Sequence, residues 1–454
     1  MLPPGPSLPV GIQTLRWMRR PVEFLEAQRA RYGDTFTMHI APEGRWVVVS
    51  DPDDVKTVFT ADPAIAHAGR GNRILLPLLG PHSVLLLDGE QHLRQRKLLL
   101  APLHGQRMQA YGELMADLAR REIESWPQGT PFAVQEGMQA LTLNIIVRAV
   151  FGVQEPERAA RLRVELRQLM RNATGPVAMA LVVAAGPERA ARLRHHRPLR
   201  RVYEPVDRLI GEEIARRRLA DDLDDRSDIL SLLLGARHED GSPMSDAELR
   251  DELMTLLVAG HETTATSLAW ALERLAHSPA QLARLTEEVR AGSEDYLEAV
   301  VTETLRLRPV LSVVVRRLTA PLEIRGYTLP AGTTVVPCIH LVHRDPQLYP
   351  DPTAFRPERF EHEGPGTYTW IPFGGGVRRC LGAAFAQFEM RTVLRELLLR
   401  RDLALSTEPP ERVRRRAITN IPARGGTITL HSRSSGAQGP GRAGGSGDLQ
   451  GVMV

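Results

Sequence analysis

A chain of 454 residues with 43% apolar content can bury one large core or two smaller ones, and its only Gly/Ser/Arg-rich stretch, from Ser432 to Val454, lies at the end and not between domains. The net charge of +4 is mild for a pI of about 9.3, and arginines scattered among Asp and Glu, not gathered with aromatics on one face, argue against nucleic-acid binding. Two cysteines, Cys338 and Cys380, exclude a disulfide framework and fit a reducing compartment.

The amino terminus, Met-Leu-Pro-Pro-Gly-Pro-Ser-Leu-Pro, is too rich in proline for the apolar helix of a secretory signal. The longest purely apolar run, Val177 to Ala185, has nine residues, far below the roughly 20 that span a bilayer. These features lead us to expect a cytoplasmic protein without a transmembrane anchor. A single domain is expected over 1–432, with a tail over 433–454 that has too little to bury to be ordered.

In chain order, a helix is expected over Val22 to Tyr32, closed by Gly33, and then strands over Thr35 to Ile40 and Trp46 to Ser50. Apolar residues at three- and four-residue spacing predict helices over Gln106 to Trp126, Met138 to Phe151 and Glu157 to Arg171. The apolar segment Gly175 to Gly186 reads as a lid, a membrane-touching patch or a buried helix. Ser245-Asp246-Ala247-Glu248 is a capping box, and the helix it opens runs to about Ala276, long enough to cross the whole molecule. Ser278-Pro279 starts another helix, and a third covers Glu294 to Leu307 and stops before Pro309. Strands follow over Leu311 to Leu318, Leu322 to Ile324, Tyr327 to Leu329 and Thr333 to Ile339, then a last helix from Leu381 to Arg400. The fold class is mainly α with small β-sheets.

The chemistry concentrates in Phe373-Gly374-Gly375-Gly376-Val377-Arg378-Arg379-Cys380-Leu381-Gly382. Consecutive glycines let a backbone fold tightly against a flat ligand. A helix amino terminus and two arginines beside Cys380 favour thiolate over thiol. Cys338, in an apolar strand, reads as inert packing. Ahead of this loop stands Glu303-Thr304-Leu305-Arg306, whose Glu and Arg share a helix face and by default form a weak surface pair. In the middle of the long helix, Ala259-Gly260-His261-Glu262-Thr263-Thr264 keeps poor helix formers. A glycine there leaves room for a bound molecule, and a threonine beside a carboxylate can pass protons, although a Thr bonded back to a carbonyl is the plainer reading. The second histidine of a zinc H-E-x-x-H motif is absent.

The cysteine stretch resembles the ligand loop of the cytochrome P-450 family, F-x-x-G-x-R-x-C-x-G, at every fixed position. The order E-x-x-R, then Phe355-Arg356-Pro357-Glu358-Arg359-Phe360, then the loop is also similar to that family, and the similarity spans roughly Pro3 to Arg433. The resemblance implies the cytochrome P-450 fold and haem b (iron protoporphyrin IX), with Cys380 as the metal ligand. Phe373, Gly374, Arg378 and Gly382 of the loop, Ala259 and Gly260 of the long helix, and His92, Arg96 and Arg316 would contact the haem; the last three and Arg378 would meet its propionates. Glu303, Arg306 and Arg359 would form a structural triad. Glu262 and Thr263 match the family's acid–alcohol pair, which supplies protons while the O–O bond breaks; a thiolate ligand favours that cleavage.

By the same resemblance the chain is a monooxygenase that inserts one atom of O2 into a substrate. After the cysteine loop too few residues remain for a flavin or iron–sulfur domain. Electrons are therefore expected from a ferredoxin and its NAD(P)H-dependent ferredoxin reductase, drawn to Arg94 and Arg379 on the cysteine side, and the protein is expected to be a monomer. The expected pocket wall comprises Ala66 to Leu87, Gly175 to Gly186, Val258 to Thr263, Leu311 to Val315 and Ile418 to Ile421. It is nearly all apolar, which points to a fatty acid, terpenoid or steroid. The rival readings are a peroxide-driven haem-thiolate hydroxylase, disfavoured by the acid–alcohol pair, and a haem-thiolate sensor, disfavoured by the lack of an output domain.

Overall fold

The computed structural model describes residues 2–433 apart from 104–106, 174, 195, 197 and 198. The tail expected to be disordered thus lies, from residue 434 on, outside the described residues, as does the helix start expected at Gln106.

The proline-rich amino terminus leads directly into α1 (Val10–Arg19) and α2 (Pro21–Tyr32). The hairpin β1 (Thr35–Ile40) and β2 (Gly44–Val49) and α3 (Pro52–Thr60) follow. Neither α1 nor α3 is expected from the sequence, because each is short and opens beside proline. Yet α1 is firmly seated. The Gln13 amide donates to the Leu8 carbonyl at 2.7 Å and accepts from the His39 amide at 2.9 Å, and Trp17 packs edge-on against Trp46 of β2.

Strand β3 (Ala66–His67) and α4 (Gly89–Leu100) come next, then the helices α5 (Arg107–Glu124), α6 (Val134–Ala149) and α7 (Pro156–Ala173) at the places their periodicity predicts. The apolar segment forms α8 (Pro176–Ala185). It is not a buried helix: Ala180, Val183 and Ala184 are exposed. A short helix, α9 (Pro187–Leu193), is followed by α10 (Arg200–Arg218), which is not expected from the sequence because Pro205 interrupts its pattern.

Helix α11 (Asp246–Ala276) is 31 residues long, about 46 Å at 1.5 Å per residue. Its capping box forms as expected: Ser245 Oγ accepts from the Glu248 amide at 3.2 Å and Glu248 accepts from the Ser245 amide at 2.8 Å. It packs along α6 and is buried over most of its length. Helices α12 (Pro279–Ala291), α13 (Asp295–Leu307) and α14 (Ala383–Arg400) surround its carboxyl half. The Ser278 hydroxyl makes no capping bond, so Pro279 alone marks that start.

The remaining strands are shorter than their sequence runs. Leu311 to Leu318 pairs only as β4 (Arg316–Leu318), because the Ser312 carbonyl is turned to the His340 amide and regular pairing begins at Arg316. Strands β5 (Leu322–Ile324) and β6 (Tyr327–Leu329) form a hairpin, and Thr333 to Ile339 reduces to β7 (Thr334–Pro337), after which Cys338 opens a short helix. One five-stranded sheet has the order β1-β2-β7-β4-β3. Only β2 and β7 run parallel, with Trp46 opposite Thr334. A hairpin of β8 (Val413–Arg416) and β9 (Thr419–Pro422) reaches back to α11.

Glu303 and Arg306 are not a surface pair. Both are fully buried, with bonds of 2.6 and 2.8 Å. Arg306 also donates to the His343 and Pro352 carbonyls, and Arg359 approaches Glu303 at 3.6 Å. The triad therefore pins α13 to the segment that leads into the cysteine loop.

Candidate active site

The cysteine loop owes its shape to glycine. Gly374 and Gly376 have φ of 68° and 63°, in the left-handed region. A side chain at Gly375 or Gly376 would strike Phe59 of α3, its ring in the first case and its carbonyl in the second. The Cys380 amide closes the loop by donating to the Phe373 carbonyl at 2.9 Å. The residue is open to solvent by accessible area, yet burial is the largest influence on its thiol and raises the pKa, against the Gly382 amide, Arg96 and Arg379. Those two facts agree if the sulfur faces an internal cleft and not the outer surface. Burial and the charged and amide neighbours therefore pull the sulfur in opposite directions. Coordination of a metal would be what deprotonates it. Cys338 is buried, with its thiol pushed up to about 12, as inert packing should be.

Beside the loop, cations converge. His92 and Arg96 stand one turn apart on α4. His92 is buried, its Nδ1 has no hydrogen-bond partner, and burial together with Arg378, Arg96 and Arg316 lowers its pKa to about 3. Arg316 is buried under Phe59, and burial and then Arg378 lower its pKa to about 10. Arg378 donates to Asp88 at 2.7 Å and to the Val84 carbonyl at 3.2 Å. Asp88 also accepts from the Gly69 and Arg70 amides, at 2.7 and 2.9 Å. Asp88 therefore bonds Arg378 and also acts on Arg316, whereas neither Arg96 nor His92 draws on it. Asp88 is missed in the sequence because an Asp just ahead of a helix reads as its cap; here its side chain reaches across to the loop at 69–70.

Midway along α11, Ala259 is exposed and Gly260 half-buried within an otherwise buried helix. A side chain at Gly260 would meet the end of the Ile146 side chain of α6 at 3.1 Å, so the glycine lies at the edge between the open face and the packing against α6. Thr263 donates to the Ala259 carbonyl, the plainer of the two readings. Glu262 does not face Thr263. It pairs with Arg416 of β8 at 3.1 Å, with Thr419 of β9 at 3.5 Å. Burial, outweighing Arg416 and Thr419, raises its pKa. Arg416 carries no sequence motif, and only the hairpin's return to α11 reveals it.

Of the expected pocket wall, Leu85, Leu86 and Val258 pack with Phe373 and Leu381 of the cysteine loop against one hydrophobic cluster. Leu311 and Val314 pack with Phe59 against another, and Ile418 is exposed at the hairpin turn. The residues fit a haem on three counts. A sulfur ligand stands in a tight glycine loop, the buried cations exceed their carboxylates and suit a dianion, and an orphaned buried imidazole nitrogen awaits a partner.

Comparison with known proteins agrees. Residues 3–425 match the profile of the cytochrome P450 family. A Mycobacterium tuberculosis protein bearing the name cytochrome P450 135B1 is 44% identical over 437 residues, which cover 95% of this chain and 92% of that protein. Cytochrome P450 135A1 of the same species is 39% identical over 434 residues, with 94% and 95% covered. The solved structure of retinoic acid-bound cyanobacterial CYP120A1 shares the fold, with a TM-score of 0.80 and 24% identity, over 95% of this chain and all of that one.

Proposed function

The chain belongs to the cytochrome P450 family and is a haem-thiolate monooxygenase, and on that premise we propose that it oxygenates a lipophilic molecule of fatty-acid, terpenoid or steroid type. Electrons come from a ferredoxin and its NAD(P)H-dependent reductase, and the cofactor is haem b. When bound, the haem activates O2 so that one oxygen atom enters the substrate and the other leaves as water. Cys380 holds the iron through sulfur, and the amide of Gly382 and the charges of Arg96 and Arg379 favour that sulfur's anionic form. His92, Arg96, Arg316 and Arg378 would hold the propionates, with Asp88 fixing Arg378. Phe373 and Gly374 shape the loop on one side; Ala259 and Gly260 give the open face of α11 on the other.

Glu262 and Thr263 carry protons into the pocket. Glu262 is buried beside Arg416, and burial raises its pKa, which suits a group that must both take and give a proton near neutral pH. To reach Thr263 it must leave Arg416, so Arg416 acts as its resting partner.

The observation that carries the substrate reading is that Leu85, Leu86, Val258 and Phe373, from three different segments, are apolar, only partly buried and packed against one hydrophobic cluster. External reduction is supported on the cysteine side, where Arg379 is exposed and Leu93 and Val377 are 41% and 42% exposed, a mixture suited to a transient acidic partner. The test is an absorbance titration of the holoprotein with fatty acids, terpenoids and steroids, followed by turnover with NADPH, ferredoxin and reductase. A saturable low-spin to high-spin shift with one class, and product from that class, is expected. Shifts only with polar ligands would overturn the substrate reading; turnover with peroxide alone would overturn the electron source.

A further inference from the structure

Helix α1 has apolar residues on both of its faces. Gln13 and Trp17 point inward. Ile12, Leu15 and Met18, at i, i+3 and i+6, form an outward row that is 42%, 48% and 61% exposed, and Val10, at the helix start on the side of Gln13 and Trp17, is 41% exposed. Four of the most exposed large apolar side chains among the described residues therefore fall within one ten-residue helix. A free amphipathic helix would turn such a row inward, but the Gln13 bonds and the Trp17–Trp46 contact prevent that.

Within α1 itself the charges are all of one sign; the nearest acids are Glu23, on the helix that follows, and Glu43, which faces Arg415. No Asp or Glu precedes Glu23. Arg16, Arg19 and Arg20 are exposed, and none forms an ion pair among the described residues. Beside α1, the β8–β9 hairpin is tied down by Arg415, which stacks on Trp17 at 4.5 Å and donates to its carbonyl at 3.2 Å. The hairpin's turn adds Ile418, 40% exposed, and the exposed Arg414.

We propose that this face, with Ile12, Leu15 and Met18 at its centre and Arg16, Arg19 and Arg20 around it, docks the protein reversibly on an anionic lipid bilayer. An apolar row that lies flat on the protein body, flanked by unpaired arginines, has the layout of an interfacial helix: the row enters the headgroup boundary while the guanidiniums meet lipid phosphates. No spanning segment is needed, and no helix among the described residues is long and apolar enough to be one. A protein partner is the less favoured occupant, because three unpaired arginines on the helix and a narrow row one helix wide match a lipid surface better than a packed, mixed interface.

The test is co-flotation of the full-length holoprotein with vesicles of phosphatidylcholine alone or mixed with phosphatidylglycerol, at low and high salt. Flotation with the anionic vesicles, weakened by salt, is expected. Each arginine near an anionic surface is worth about a fivefold change in partition, so R16Q/R19Q/R20Q should bind on the order of a hundredfold more weakly. L15D/M18D should lose about tenfold or more through its apolar row. Because every substituted residue is exposed, unchanged Soret spectra and melting curves would show that both variants remain folded. Failure of the wild type to float with anionic vesicles would overturn the proposal, as would equal flotation of wild type and variants. A wild-type dimer in sedimentation that L15D/M18D abolishes, without vesicle binding, would assign the row to a second copy of this chain and overturn it too.

Discussion

Glu262 is a carboxylate that burial pushes toward protonation while Arg416 and Thr419 pull it back. Removing the cation leaves the acid desolvated and alone. Arg416→Met should therefore lower stability by about 1–3 kcal/mol, a modest figure because Arg416 is itself 38% exposed. Urea unfolding measures the loss, and Glu262→Gln added to it should restore most of it; no loss would mean the pair is not structural. Thr263 is a different case, since its hydroxyl only returns to the Ala259 carbonyl. Alanine is the better helix former, so Thr263→Ala should fold as well as the wild type yet yield roughly tenfold less product per NADPH. Retained coupling would make Thr263 a structural threonine. At this scale the sequence was informative where chemistry constrains neighbours, as around Cys380, whose glycines are needed against Phe59. It was silent where a partner comes from a distant segment, as Arg416 does for Glu262 and Asp88 for Arg378.

Among elements, α11 acts as a fastening post for the segment 80–88. Asp251 accepts from the His82 amide at 2.9 Å, Glu252 from the Val84 amide at 2.8 Å, and Thr255 donates to Ser83 at 2.7 Å. From the other side Arg378 holds the Val84 carbonyl. Burial lifts Glu252 to about 8 against the opposing pull of Val84 and Gln95. A carboxyl raised in the folded state contributes stability that is full below its unfolded pKa, near 4.5, and is lost as pH rises through about 8. Glu252→Gln keeps an acceptor for Val84 and removes the titration. Its urea midpoint should stay level across that window while the wild type falls; parallel curves would refute a protonated Glu252. The triad makes a larger claim. Arg306→Met strands Glu303 in a fully buried site and should cost about 3–5 kcal/mol, read from the same unfolding curves. A cost below 1 kcal/mol would return the pair to the surface default.

Long amphipathic elements such as α5, α6 and α11 were legible because one face must be buried over several turns. Helices α1, α3 and α10 were not, since proline stands at their start or inside them, and the run 311–318 was overcalled because alternation cannot tell a strand from an extended segment whose carbonyls bond elsewhere.

Across the whole molecule, the family assignment and the local geometry meet in one place. The long helix presents Ala259 and Gly260, the glycine loop presents Cys380, and α4, β4 and the loop bring three arginines and His92 together. Order along the chain disclosed this assembly because each motif sits on a different element and they converge only in one fold. The hairpin's role, the exposure of α8 and the apolar outer row of α1 depend on which faces the packing leaves uncovered, and no local pattern encodes that. The most direct measurement is electron paramagnetic resonance of the ferric holoprotein beside Cys380→Ala. A low-spin thiolate-ligated iron signal in the wild type, absent from a variant that retains little haem, is expected. An unchanged signal in Cys380→Ala would contradict ligation by this cysteine and, with it, the site described above.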